Sequence, residues 1–149
     1  AHLATATQKL LHSPLGPLFA RLASERRFAA GFAAVFGPAS RPSPAELHTV
    51  WELNRHNHGL RILPKLLGYL DERRAQRARW VGALQRTAVP LRFVNGPEDP
   101  VSGRHMAERY RELVPAADVV PLDGIGHYPQ LEAPERVLAA LLEHVERAS

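Results

Sequence analysis

The sequence predicts a helix-dominated α/β chain in two regions. Residues 1–88 read as entirely helical, and residues 89–149 run strand, helix, strand, helix. Three observations carry this. Apolar residues recur at three- and four-residue spacing through the first region. Two short apolar runs, Leu91-Arg92-Phe93-Val94 and Asp118-Val119-Val120-Pro121, stand in the second, bounded by Pro, Asn, Gly and Asp. Helical spacing lies between those runs, and a strand–helix–strand connection implies two parallel strands joined by a right-handed crossover.

In the first region Leu10, Leu11, Leu15, Leu18, Phe19 and Leu22 fall on helical spacing, interrupted by Pro14 and Pro17. Proline removes a backbone donor and clashes with the preceding turn, so it breaks the helix. A short apolar helix is expected over Arg26 to Phe36, ended by Gly37-Pro38, with a turn over residues 38–42. Ser43-Pro44-Ala45-Glu46 is a complete helix start: Ser as N-cap, Pro at the first helical position, Glu to close the capping box. That helix should run to Asn54 and break at Asn57-His58-Gly59. A longer helix is expected over Leu60 to Leu70, with Pro64 near its first turn, and another over Arg74 to Leu84. Short helices joined by Pro- and Gly-rich turns describe a lobe, not a long bundle.

In the second region the first strand, Leu91 to Val94, ends at Asn95-Gly96, and Ser102 is expected to cap a helix running to Leu113. The second strand is Asp118 to Pro121, followed by the glycine-bracketed loop Asp123-Gly124-Ile125-Gly126-His127. Pro134 opens a final amphipathic helix with Val137, Leu138, Leu141, Leu142 and Val145 on one face. Two parallel strands make a poor sheet, because parallel sheets are normally larger and covered on both faces. The first strand is expected to expose an unpaired edge, through which two copies could pair.

Composition narrows the function classes. With 149 residues and 45% hydrophobic content the chain can bury a real core and is globular in character. The absence of cysteine excludes disulfides, zinc–thiolate sites and cysteine nucleophiles. No apolar run reaches the length of a membrane span. The first residues, AHLATATQKLLH, lack the apolar stretch and cleavage pattern of a signal peptide, so a cytoplasmic location is expected. They also lack a starting Met, and the chain is expected to be excised from something longer. The net charge of +4 and pI of about 10.1 raise nucleic acid as a partner. The basic residues are nearly all Arg dispersed among Glu; only Arg73 to Arg79 is dense, and no aromatic residues interleave it to stack bases. No nucleic-acid partner is expected. His56-x-His58, with His48 nearby, is half of a metal site with nothing placed to complete it, so neither metal nor cofactor is expected. His105 and His144 lie on helices and are expected to be exposed.

The chemistry concentrates in Phe93 to Pro100 (FVNGPEDP) and Leu122 to Pro134 (LDGIGHYPQLEAP). Asp99 follows the C-terminal end of one strand and His127 follows that of the next. Active groups of parallel sheets gather outside those carboxyl ends. A buried carboxylate accepting from one ring N–H fixes the imidazole tautomer and leaves the other nitrogen free to take a proton. Each residue alone has an ordinary reading: Asp-Pro is a turn signal, and a loop His is usually structural. At matching strand ends they describe a general-base dyad awaiting something to activate.

Gly-x-x-Asp-Pro after a short apolar strand, then Gly-His-x-x-x-x-Glu-x-Pro before the last helix, resembles the C-terminal end of the α/β-hydrolases. The epoxide-hydrolase and haloalkane-dehalogenase branch is the most similar. Within it, Phe36 to Leu47, Arg73 to Leu84, Gly96 to Val101 and His127 to Pro134 resemble the mesoderm-specific-transcript-like hydrolases, and the similarity extends from Leu10 to Val145. The resemblance implies that residues 1–88 are the helical cap and residues 89–149 the last two strands and helices of the core. It assigns Asp99 as the acid and His127 as the base. It further implies an Asp nucleophile at a strand-to-helix elbow, which attacks carbon to give an ester that His-activated water hydrolyses. No Gly-x-Ser-x-Gly and no comparable Asp elbow occurs here; Asp71, Asp118 and Asp123 stand in a cap helix, at a strand start and in the His loop. The nucleophile is expected in a missing N-terminal half, Asp favouring epoxide or haloalkane chemistry and Ser favouring esters.

By the same resemblance Tyr69 is a candidate to hydrogen-bond an epoxide oxygen, against the ordinary reading of a rim tyrosine with a wet hydroxyl. Trp51 and Trp80 are candidates to line an apolar pocket, Tyr128 to pack under the cap, and Glu132 to bond backbone amides of the His loop or the last helix N-terminus. The expected substrate is a small apolar epoxide, haloalkane or ester. The alternative is a non-catalytic binding or oligomerisation module derived from such a fold.

Overall fold

The computed structural model of the chain describes residues 6–148, so residues 1–5, part of the segment read for a signal peptide, lie outside it. It divides into two compact units, one of helices (residues 6–34 and Pro42–Arg77) and one holding the strands (Val35–Arg41 and residues 78–148). Residues 35–41 and 78–86 belong to the unit that holds the strands.

The helical unit runs α1 (Ala6–Leu11), α2 (Gly16–Arg21), α3 (Glu25–Ala33), α4 (Pro44–Arg55), a 3-10 segment (His56–Ile62), α5 (Leu63–Leu66) and α6 (Tyr69–Ala75). Pro14 separates α1 from α2, as its missing donor requires. The capping box of α4 is formed: Glu46 N donates to Ser43 Oγ (3.3 Å) and Ser43 N to the Glu46 carboxylate (2.7 Å). The break after α4 is made by Asn57 and His58, both left-handed at φ 49° and 61°. The long helix expected over Leu60 to Leu70 is not there. The chain stays in 3-10 geometry to Ile62, Pro64 supplies no donor, and Gly68, a poor helix former, separates α5 from α6. Trp51 of α4 is buried against the Phe28 ring (5.5 Å), which stacks on Phe32 (5.6 Å).

The strand unit contains α7 (Arg77–Arg86, whose first residue belongs to the helical unit), β1 (Arg92–Asn95), α8 (Arg104–Leu113), β2 (Asp118–Pro121), α9 (Pro129–Glu132) and α10 (Pro134–Ala148). The helix expected from Arg74 is therefore two, Arg74 lying in α6. β1 and β2 are parallel, in register from Arg92↔Asp118 to Asn95↔Pro121. Arg92 pins this pair to α10: its buried side chain donates to Asp118 Oδ2 (2.7 Å), Glu143 Oε2 (2.8 Å) and the Ala140 carbonyl (2.9 Å). Ser102 does not cap α8. The N-cap is Gly103, without a side-chain bond, because the Ser102 hydroxyl is turned to Asp99 (2.7 Å). α10 buries Ala140 but leaves Leu138, Leu141 and Leu142 each 53% exposed, a broad apolar face. Among the described residues no helix is long and apolar enough to cross a membrane.

Three backbone segments cross beneath the strand ends with no room for side chains. A Cβ on Gly96 would lie 1.9 Å from the Gly126 carbonyl oxygen, and one on Gly126 would lie 2.3 Å from that of Val35. Gly96→Ala is therefore expected to destabilise the chain by about 3 kcal/mol, lowering Tm by roughly 6–12 °C in a circular dichroism melt. An unchanged Tm would contradict the close crossing.

Candidate active site

Asp99 lies four residues beyond β1, in a turn closed by Asp99 N donating to the Gly96 carbonyl (3.2 Å) and Gly103 N to that of Asp99 (3.0 Å). Glu98 N donates to the Ile125 carbonyl (3.0 Å), which fastens this turn to the loop after β2. The Asp99 carboxylate is buried and fully engaged. Oδ1 accepts from Val101 N (2.8 Å); Oδ2 accepts from Ser102 N (3.0 Å), Ser102 Oγ (2.7 Å) and His127 Nδ1 (2.7 Å). Asn95, at the end of β1, braces the same turn by donating Nδ2 to the Ser102 carbonyl (3.0 Å). The ordinary reading of Asp99, an aspartate bonding its own turn, and the pairing with His127 both hold.

His127 donates its backbone N–H to the Val35 carbonyl (2.8 Å). Its side chain is 33% exposed, against 4% for that of Asp99. With Nδ1 donating to a carboxylate, the neutral ring carries its lone pair on Nε2. The Tyr128 ring stands edge-on to the imidazole (4.8 Å) and packs on buried Phe36 (5.2 Å). Burial alone would push the Asp99 carboxyl up, but the bonds from His127, Ser102 and Val101 outweigh it and hold the carboxyl below its ordinary value. The bond to Asp99 raises the His127 imidazole, with burial opposing and the charges of Asp99 and Glu132 adding. Tyr128 is raised by burial and by the Asp99 charge.

Stability should follow these shifts. The raised His127 contributes stability that is fully present below its ordinary 6.5 and lost as pH rises through the higher folded value. The lowered Asp99 contributes stability that is present above 3.8 and lost as pH falls through the lower folded value. Melting temperature is therefore expected to plateau between these limits, and His127→Gln to remove the alkaline flank. A flank unchanged in that variant would contradict the pairing.

The other candidates are placed as follows. Trp51 is buried in the helical unit with the Arg55 guanidinium 5.8 Å from its ring centroid. Tyr69 opens α6 and is 38% exposed; Trp80 is on α7 and 41% exposed. Glu132, at the end of α9, bonds backbone amides of the His loop. Asp71 pairs with Arg74 (3.0 Å) and His12 (2.9 Å), and Asp118 with Arg92 (2.7 Å). His105 and His144 are half-buried rather than exposed, and the His105 ring bonds the Val101 carbonyl (3.1 Å). Among the described residues no cluster of three or more His, Cys, Asp or Glu is arranged to hold a metal ion.

Sequence reasoning missed Ser102, Asn95 and the segment Val35–Arg41. The Asp-x-x-Ser spacing was a usable signal for Ser102, since a hydroxyl three residues on can reach a turn carboxylate. Nothing local pointed to Val35 or Asn95.

The fold is part of an α/β-hydrolase fold. Among solved structures the chain is similar to MGS-M2, an alpha/beta hydrolase enzyme from a Medee basin deep-sea metagenome library (TM-score 0.56, 14% identity, 95% of this chain and 52% of that one). It is similar also to a serine hydrolase involved in carbazole degradation (TM-score 0.61, 16% identity, 83% and 47%) and to a membrane phospholipase A (TM-score 0.63, 20% identity, 99% and 46%).

In sequence, the relatives are proteins named hydrolase LipZ and mesoderm-specific transcript. The Mycobacterium tuberculosis LipZ is 47% identical over 135 residues, covering 91% of this chain and 47% of that protein. The mesoderm-specific transcript homolog protein of Homo sapiens is 41% identical over 145 residues, covering 95% and 43%. The chain thus spans less than half the length of these relatives. It matches no protein-family model.

Proposed function

We propose that this chain supplies the acid–base part of an epoxide-hydrolase-like active site. Asp99 orients His127 and stabilises its protonated form, and His127 activates the hydrolytic water. The helical unit serves as the substrate-covering cap, from which Tyr69 would protonate the leaving oxygen. The observation that carries this reading is the 2.7 Å bond between His127 Nδ1 and Asp99 Oδ2, made between loops at the carboxyl ends of two adjacent parallel strands. The relatives named as hydrolases support it. So do the two-stranded sheet and the exposed leucines of α10, which leave a core wanting further strands.

The nucleophile and the remaining strands come from an N-terminal half, and the substrate is a small apolar epoxide, haloalkane or ester. The chain alone is therefore inactive. Mixing it with the portion of LipZ outside the matched region, and assaying one substrate of each class, tests this. Turnover should be absent with either piece alone and appear with both. Turnover by the chain alone, or none with both pieces, would contradict it.

The apolar face of α10 favours a second reading, a binding or oligomerisation module. Size-exclusion chromatography separates the two: a concentration-dependent dimer that does not dissociate when the LipZ portion is added supports the module.

A further inference from the structure

Glu132 gathers more of the structure than a loop carboxylate needs. Its Oε2 accepts from Gly37 N (2.8 Å), Ser40 Oγ (2.5 Å) and Gly126 N (2.8 Å), and its Oε1 accepts from Tyr128 N (3.0 Å). Gly126 and Tyr128 flank His127 on either side. Gly37 and Ser40 belong to Val35–Arg41, which leaves the helical unit after α3, packs in the strand unit, and returns to the helical unit before α4. The peptide between Gly126 and Tyr128 is bonded to the same segment, His127 N donating to the Val35 carbonyl (2.8 Å). Phe36 continues the contact through Tyr128 to the imidazole edge. Gly126 permits the approach, since a Cβ there would strike the Val35 oxygen. Bonds to an ionised carboxylate are about twice as strong as neutral ones.

We propose that Glu132 is a positioning residue for His127: its carboxylate fastens the Val35–Arg41 excursion to both sides of the His127 peptide and so holds the imidazole on Asp99. Its consequence for catalysis rests on the acid–base reading above; its geometry does not. The segment that carries the chain between α3 and α4 is thereby anchored beside the base. The titratable groups facing His127 are Asp99, Glu132 and Tyr128, so loss of the Glu132 charge removes one of the two anions favouring the imidazolium.

Nuclear magnetic resonance on the whole chain tests this with Glu132→Gln, Ser40→Ala and Asp99→Asn. Glu132→Gln should lower the pKa of His127. It should also cut hydrogen-exchange protection of the Gly37, Gly126 and Tyr128 amides by about tenfold or more. A residue that acted on His127 by charge alone would lower its pKa but leave its neutral proton on Nδ1 and the protection of the Gly37, Gly126 and Tyr128 amides unchanged. Should Glu132→Gln unfold the chain, Ser40→Ala reads the same clamp and should cut protection at Gly37 and Gly126 by about threefold. Unchanged titration and protection in Glu132→Gln, or unchanged protection in Ser40→Ala where that variant must stand in, overturns the positioning role. If Asp99→Asn still lowers the His127 pKa, the acid–base pair survives that result. If Asp99→Asn leaves the His127 pKa unchanged, the acid–base pair itself is overturned, and the catalytic consequence with it.

Discussion

On the acid–base reading proposed above, Asp99→Asn in the completed protein is expected to cut turnover by about 10⁴-fold while leaving the fold standing. The asparagine is close to isosteric, and its side-chain oxygen can still accept from Val101 N, which now bonds Oδ1, so the turn loses only the Ser102 N bond to Oδ2. What changes is the atom facing His127 Nδ1. An amide NH₂ there is a donor, so the imidazole must present a lone pair on Nδ1 and carry its proton on Nε2. The nitrogen that should take a proton from water then holds one already. The carboxylate that stabilises the imidazolium is also gone. Steady-state kinetics with a parallel thermal melt check this, and a loss of less than about tenfold with an intact fold would contradict Asp99 as the orienting acid.

His127→Gln is expected to separate the two halves of the reaction. On the reading proposed above, with an Asp nucleophile in the completing half and an epoxide as substrate, the carboxylate would attack the epoxide carbon, the carbon–oxygen bond would break, and the alkoxide would take a proton from Tyr69. None of this needs His127. The ester then waits for a water whose proton His127 would accept. The variant should show one stoichiometric burst, a protein mass increased by that of the substrate, and steady-state turnover lower by about 10³–10⁴. A serine nucleophile gives no burst, because His127 must first deprotonate it. Full turnover with His127 replaced would sink the assignment under either chemistry.

What was legible in the sequence depended on range. β2, the capping box of α4 and the start of α10 are set by neighbours within four residues, and all three stand where those neighbours put them. The pairing of Asp99 with His127 spans 28 positions, yet it was legible because parallel topology itself brings adjacent strand ends together. Ser102 was misplaced because a serine before a helix has two uses, and the carboxylate three residues back competes for its hydroxyl. The Val35–Arg41 excursion was hidden altogether. Its anchor is Glu132, 95 positions from Gly37, and neither residue type announces a long-range bond. The helix expected over Leu60 to Leu70 failed for a local reason: its apolar spacing was sound, but the 3-10 geometry up to Ile62, Pro64 and Gly68 divide it into shorter pieces.

The most direct measurement is a ¹⁵N-edited titration of His127 in the chain itself, with no completing half and no substrate. If Asp99 and His127 are already joined, the imidazole titrates above 6.5 and its neutral form carries the proton on Nδ1. Asp99→Asn should abolish both features. An imidazole that titrates at or below 6.5, with its neutral proton on Nε2, would contradict a preassembled acid–base pair.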